Sequence, residues 1–155
     1  MKLYILRHAE AEPTAPTDAE RALTPKGLKQ ARRIARFFKK QGIKPDLLLT
    51  SPMRRCVQTA EFVATETGVD LGEKDFLACG MKPATAIKML GRWSEMDTVV
   101  LVGHEPDLSR LIDALMGWEK SNGLRIRKAS LTCISFVEFA PGSGLLEFSM
   151  PSKFV

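Results

Sequence analysis

Cysteine, histidine and aromatic residues are all scarce in this chain of 155 residues, and each scarcity excludes something. The three cysteines, Cys56, Cys79 and Cys133, are odd in number and far apart. Neither a disulfide framework nor a cysteine-based zinc cluster is therefore expected, but three thiols in a reducing compartment. No apolar run is long enough to cross a bilayer. Met1 and Lys2 lead straight into Leu3-Tyr4-Ile5-Leu6 with no small-residue cleavage site, so no leader is expected. Aromatics make up 7% of the residues, too few to interleave with basic side chains as a stacking platform for nucleic acid. Two histidines without a carboxylate cluster make a poor metal site. The expectation is one cytoplasmic domain spanning residues 1–155, a monomer with no cofactor, no metal, no nucleic acid and no membrane.

What is present suits a folded domain. Hydrophobic residues account for 45% and charged residues for 26%, within the globular range and enough to bury a core. The net charge of +5 favours anionic partners. The densest basic segment, Arg32, Arg33, Arg36, Lys39 and Lys40, falls on a helix with an apolar opposite face and reads as solvated surface.

Hydrophobic patterning predicts alternating strands and helices. Lys2 to Leu6 reads as a buried strand and Ala9 to Ala22 as a loop carrying Pro13 and Pro16. Thr24 and Pro25 form a cap followed by a first-turn proline, opening a helix with Leu28, Ala31, Ile34, Ala35 and Phe38 on one stripe and Gly42 as its stop. Asp46 to Thr50 is a second strand. Ser51 and Pro52 repeat the cap-and-proline signal ahead of the stripe Met53, Cys56, Val57, Ala60 and Ala64, which ends at Gly68. Phe76 to Ala78 reads as a short strand or extended loop, and Pro83 to Leu90 as a helix. Thr98 to Val102 is the clearest strand. Pro106 begins a helix that turns Leu108, Leu111, Ile112 and Leu115 inward and ends at Gly117. Ser130 to Phe139 and Leu145 to Met150 alternate around Pro141-Gly142-Ser143-Gly144 as a terminal hairpin. The fold class is α/β, a three-layer α/β/α arrangement: a mostly parallel central sheet, helices on both faces, and an antiparallel C-terminal hairpin.

Both histidines directly follow buried strands, His8 after Arg7 and His104 after Gly103. The carboxyl edge of an open α/β sheet is where ligands bind. The strand ending at Thr50 reaches the same edge, where a helix opens whose first turn carries Arg54 and Arg55. Neither arginine lies on the apolar stripe, and periodicity does not choose between them. Such a cluster suits a phosphoryl group. Guanidinium forks grip phosphate oxygens in pairs, helix N-termini add N–H donors, and a neutral imidazole can attack phosphorus to make a covalent intermediate. A nucleophilic imidazole should lose activity as pH falls through the histidine range. Ser51 reads as a helix cap, since no nucleophile elbow surrounds it.

The segments also match a known pattern. Leu6-Arg7-His8 resembles the R-H-G signature of the histidine phosphatase (phosphoglycerate mutase-like) superfamily, and Arg21 to Gly27 resembles its R-x-L-T-x-x-G stretch. Ser51 to Ala60 is similar to S-P-x-x-R-A-x-Q-T-A, and Gly103-His104-Glu105-Pro106 to the late G-H-x-P/G motif. The short chain looks most like the SixA-type protein phosphohistidine phosphatases. The resemblance implies that His8 is the nucleophile, that Arg7 and Arg55 bind the phosphoryl oxygens, and that His104 completes the pocket. It also implies that Arg21 contacts substrate, and it alone selects Arg55 over Arg54.

Two positions depart from the pattern. Ala9 stands where the family has glycine, tolerable if its φ is negative. The middle segment, Phe76 to Lys82, carries no general acid, leaving Glu10, Glu12 and Asp18 of the first loop, or none. A missing acid favours a leaving group that takes its own proton near neutral pH, as imidazole does. The implied substrate is phosphohistidine on a protein partner. The alternatives are small phosphomonoesters, or a phosphate-binding regulatory module without turnover. A mutase is disfavoured because no long insertion is available to close over a phosphorylated acid.

Overall fold

The most apolar segments form the centre of a single sheet. In the computed structural model, which describes residues 1–119 and 124–155, Lys2–Arg7 (β1) pairs in parallel with Thr98–Gly103 (β4), from Lys2 against Thr98 to Arg7 against Gly103. Leu3 to Leu6 and Val99 to Gly103 are buried throughout. Strands covered on both faces read as unbroken apolar runs, which is why neither shows polar alternation. Leu47–Thr50 (β2) lies on the other side of β4, and Leu71–Glu73 (β3) lies outside β2, both parallel. Ser130–Ser135 (β5) flanks β1 antiparallel and Leu145–Pro151 (β6) closes that edge. The order across the sheet is β3-β2-β4-β1-β5-β6. The expected mostly parallel sheet with an antiparallel terminal hairpin is what the chain forms.

Alternate strand residues feed two cores, because side chains leave a strand on opposite faces. Tyr4, Leu6, Val100 and Val102 pack against Pro25–Lys40 (α1) and Arg54–Thr67 (α2) through Ala31, Ile34, Phe38, Cys56 and Val63. Leu3, Ile5, Val99 and Leu101 meet Pro83–Leu90 (α3) and Asp107–Met116 (α4) through Ala86, Leu90, Leu108 and Leu111. A fully buried ring such as Phe38 is costly to truncate, about 3–5 kcal/mol to alanine. Among the described residues, no helix is long and apolar enough to cross a membrane.

Local signals account for most element ends. The Thr24 hydroxyl accepts from the Gly27 N–H at 3.0 Å with Pro25 beginning α1, the pairing its sequence suggested. Three boundaries differ. Helix α2 starts at Arg54 instead of Pro52, because the Ser51 N–H is still in the sheet, donating to Val102 O at 3.0 Å. Strand β5 ends at Ser135 instead of Phe139, because Ser135 pairs with Lys2, where β1 itself begins. Phe76 to Ala78 is neither strand nor extended loop. Asp75–Leu77 makes a 3₁₀ turn that buries Leu77. The strand of this region is β3, three half-exposed residues at a sheet edge with Gly72 in the middle, too short and too polar for any periodicity.

Candidate active site

Strands β1, β4 and β2 are neighbours and parallel, so their carboxyl ends meet at one edge. His8, His104 and Ser51 are the residues that follow them. The His8 N–H donates to Gly103 O at 3.0 Å, tying the first two ends together. The two imidazole centres lie 5.3 Å apart with planes at 54°, and both rings are buried.

His8 Nδ1 lies 2.7 Å from Ala9 O. A carbonyl only accepts, so Nδ1 carries the hydrogen and Nε2 is left with the lone pair. Burial, reinforced by His104, Arg55 and Arg7, pushes the His8 pKa from 6.5 down to about 3 against the opposing pull of the Ala9 carbonyl. His104 is pushed down to about 4, by burial first and then by Arg55. Both rings are therefore neutral well below the ordinary imidazole range, which revises the expectation that imidazole protonation would silence the site near that range.

The Ala9 N–H donates to Thr59 Oγ1 at 3.1 Å, and the Thr59 hydroxyl donates to Arg55 O at 2.6 Å. Among the described residues only Ala129 is a non-glycine with positive φ, so Ala9 needs no glycine-like backbone. Gln58 Oε1 accepts from the Leu23 N–H at 2.8 Å and Gln30 Oε1 from the Glu10 N–H at 2.9 Å, fixing the loop after His8. Gly27 belongs to the same device. A Cβ there would overlap the Glu10 carbonyl, so the close approach of α1 to this loop requires glycine.

Ser51 is not the expected cap, since Met53 occupies that position without a side-chain cap bond. Its hydroxyl accepts from the Met53 N–H at 3.3 Å and lies 2.7 Å from His104 Nε2. Cys56 Sγ approaches the same nitrogen at 3.4 Å. Its position at the end of β2 was the available signal.

Arg55 corrects the sequence reading. The inward face of α2 is Arg55, Cys56, Thr59, Ala60 and Val63, and Arg55 is 4% exposed while Arg54 is open to solvent. Its guanidinium donates through Nη1 to Asp18 O at 2.8 Å and through Nη2 to Asp18 Oδ2 at 3.0 Å, with Cys79 Sγ 3.5 Å away. A first turn that faces a ligand site is polar on its inner side, so an apolar stripe misses it. Arg7 donates from Nη1 to Ile126 O at 2.9 Å, and its Nε is buried with no protein partner. Arg21 does not reach the imidazoles among its hydrogen bonds. Its Nε donates to Glu12 O at 2.6 Å and its Nη1 to Asp18 Oδ1 at 2.9 Å. Asp18 thus bridges Arg21 and Arg55.

Of the three candidate carboxyls of the first loop, those of Glu10 and Asp18 are engaged. Glu10 pairs with Lys26 at 2.9 Å and receives the Thr24 hydroxyl at 3.1 Å. Lys26 above all holds Glu10 below the usual carboxylate range, as Arg21 and then Arg55 do for Asp18. Glu12 is exposed and meets Arg21 through its carbonyl. Glu105, next to His104, is different. One oxygen receives the Ser109 hydroxyl at 2.6 Å, the other is buried without a protein partner, and burial raises its pKa. Asp107 Oδ2 accepts from the Gly80 and Met81 N–H groups at 2.7 and 3.1 Å, fixing the segment that carries Cys79 against Arg55. Among the described residues no three His, Cys, Asp or Glu side chains converge as a metal-ligand set.

Two neutral imidazoles and two guanidiniums at one sheet edge can hold a tetrahedral anion and attack it. Comparison with known proteins bears on the family and the fold. The model of the Histidine phosphatase superfamily (branch 1) matches residues 3–78. An uncharacterized protein of Picosynechococcus sp. is 31% identical over 84% of this chain and 82% of its own. The phosphohistidine phosphatase SixA of Escherichia coli (strain K12) is 36% identical over 41% of this chain and 39% of its own. In structure, a protein histidine phosphatase SixA complexed with tungstate superposes with a TM-score of 0.89 at 22% identity, covering 99% of both chains.

Proposed function

The chain belongs to the histidine phosphatase superfamily, and from that membership we propose that it is a phosphatase that passes the phosphoryl group through His8, with phosphohistidine on a protein partner as its substrate. The observation that carries this reading is the meeting of His8 and His104, ring centres 5.3 Å apart, with His8 Nε2 unprotonated. In the first step the Nε2 lone pair attacks phosphorus and the bond from phosphorus to the substrate imidazole breaks. The substrate ring takes a proton from solvent on its other nitrogen, where a base of pKa about 6.5 can be protonated near neutral pH, so it departs as neutral imidazole with the electron pair of the broken bond. In the second step water attacks the phosphorylated His8, releasing inorganic phosphate and restoring the neutral ring. Arg7 and Arg55 bind the equatorial oxygens, and a fixed donor of this kind contributes about 3 kcal/mol to the barrier. His104, set by Ser51, completes the pocket. Arg21 acts through Asp18 by positioning Arg55. No step is routed through a metal.

A second reading, small phosphomonoesters, is favoured by Glu105. An alkoxide leaving group needs an acid, and Glu105 is the carboxyl beside His104 whose burial favours the protonated form. Turnover separates the two. Brief exposure to a radiolabelled phosphoramidate should leave acid-labile label on the wild type and none on His8→Ala. A phosphohistidine peptide should then be hydrolysed with a higher kcat/KM than an alkyl phosphomonoester. Absence of label on the wild type, or label that persists in His8→Ala, refutes the covalent route. A preference for the alkyl phosphate moves the assignment to the second reading.

A further inference from the structure

A groove of about 520 Å³ opens beside the catalytic hollow, and Lys26, Lys29, Arg33, Arg127, Lys128 and Lys153 line it together with Gln30 and Ser152. No acidic side chain lines it. Lys26, Lys29 and Arg33 recur on one face of α1, Arg127 and Lys128 precede β5, and Lys153 follows β6. Among the described residues the one ion pair to these six cations is Lys26 with Glu10. Lys29, Arg33, Arg127, Lys128 and Lys153 stand unpaired. The groove on the other side of α1 that contains Arg32 and Arg36 also contains Glu61 and Glu66, whereas the one at the end of the helix with Arg33, Arg36 and Lys40 is lined by Phe37, Phe154 and Val155 instead of acids. The sequence reading of this helix as a plain solvated face therefore fits Arg32, which lines only the acid-matched groove, but not Arg33. Unpaired like charges gathered in a concavity repel one another, and an anionic occupant relieves that repulsion.

The groove is tied to the segment that carries His8. Strand β6 ends and β5 begins at the sheet edge where β1 delivers His8, with Pro151 opposite Ser130. The Ala129 N–H donates to His8 O at 3.1 Å. Glu10, two residues past His8, pairs with Lys26 and donates its N–H to Gln30 Oε1, so two residues of the groove hold the segment that follows His8. Resting on the phosphohistidine-protein reading, we infer that this groove docks an acidic segment of the partner that flanks its phosphohistidine. The cations from Lys26 to Arg33 extend about 10 Å along the helix, the reach of about three extended residues. Nucleic acid fits less well, because no aromatic side chain lines the groove to stack a base.

The test uses two synthetic phosphohistidine peptides that differ only in the flank, four Asp and Glu residues in one and four Asn and Gln residues in the other. The wild type should hydrolyse the acidic peptide with a kcat/KM about tenfold higher, as several partly exposed charge pairs together supply. The advantage should vanish at about 0.5 M sodium chloride and in the triple variant Lys29→Glu, Arg33→Glu, Lys153→Glu. The same variant should turn over free phosphoramidate at the wild-type rate. Equal kcat/KM for the two peptides in the wild type, or an equal loss for both in the variant, overturns docking. Fluorescence anisotropy with the acidic peptide lacking phosphate reads the groove independently. Salt-sensitive binding that the triple variant loses supports docking even if no phosphohistidine peptide is hydrolysed. An oligonucleotide of equal charge binding more tightly than the peptide also refutes it.

Discussion

A buried neutral imidazole makes the folded protein acid-sensitive in a way that His8→Asn should measure. In the folded chain His8 takes up a proton only near about 3, and His104 near about 4, against 6.5 for a free imidazole. Between those values and 6.5 the unfolded chain binds protons that the folded chain does not, so stability falls as pH drops through that window and is unaffected above it. At about pH 5 each ring should cost about 2 kcal/mol relative to pH 7.5, and the pair about 4 kcal/mol. That is a large part of the roughly 5–15 kcal/mol typical of a domain. Asparagine keeps a donor for Ala9 O and does not titrate. Urea unfolding of wild type and His8→Asn at the two pH values, in buffers free of phosphate and sulfate because such anions would stabilise the folded state, gives the difference directly. The variant should lose about 2 kcal/mol less than the wild type on acidification, whatever its stability at neutral pH. Other groups titrate alike in both proteins and cancel. Equal losses would mean that His8 binds its proton as readily folded as unfolded, and that burial, with the field of His104, Arg55 and Arg7, does not act on it as argued. The same reasoning keeps kcat/KM from falling near pH 6.5 on account of His8 in the free enzyme.

Arg55→Ala should lower kcat about a hundredfold or more and should also cost about 1.5–3 kcal/mol of stability, because its charged hydrogen bonds hold Asp18. Paired kinetics and denaturation check this, and an unaltered stability contradicts the anchoring of the first loop through Asp18. Gly27→Ala should destabilise by about 1–3 kcal/mol despite alanine's better helix propensity, because the added methyl displaces the Glu10 carbonyl. A melting temperature at or above wild type contradicts the close approach. Ser51→Ala should lower kcat with little change in KM and cost about 1 kcal/mol of stability by freeing His104 Nε2. A pure KM effect would show that Ser51 serves substrate rather than the ring. Glu105→Gln should reduce turnover of an alkyl phosphate by about a hundredfold while leaving a phosphohistidine peptide within a few fold. Equal losses on both substrates exclude Glu105 as the acid.

The legible parts of this molecule are those in which one residue type repeats with a period. Apolar runs announced β1 and β4, and the histidines directly after them marked the working edge of the sheet. The first turn of α2 was illegible for the same reason. Periodicity sorts residues by polarity, and a helix that faces a phosphate site buries arginine and threonine there. The motif match selected Arg55 without indicating its burial or its partner. Glu105 was overlooked because an acid was sought in the middle segment and the first loop, whereas the fold lends it significance only by burying one of its oxygens without a partner. Strand β3 carries no signal, since three half-exposed residues around a glycine need a neighbouring strand to define them. The basic groove joins residues 26–33 of α1 to residues 127–128 and 151–153 near the other end of the chain, and no local pattern spans them.

The site reconciles two opposed demands. A phosphoryl dianion is best held by fixed cations, whereas a nucleophilic imidazole must remain unprotonated, and a carboxylate placed to orient the ring would favour its cationic form. Here the ring of His8 is oriented by a carbonyl, that of Ala9, and the ring of His104 by a hydroxyl, that of Ser51. Neither partner carries a net charge. The carboxylate that touches Arg55 does so from the loop side, through Asp18, where it also pairs with Arg21. Arg7 and Arg55 can therefore act twice in one cycle. Before binding they suppress imidazole protonation, and on binding their field is cancelled by the dianion, so the imidazole faces phosphorus neutral and at no further electrostatic cost. Replacing Ser51 with aspartate would reverse this logic, raising the His104 pKa and weakening anion binding at the same stroke.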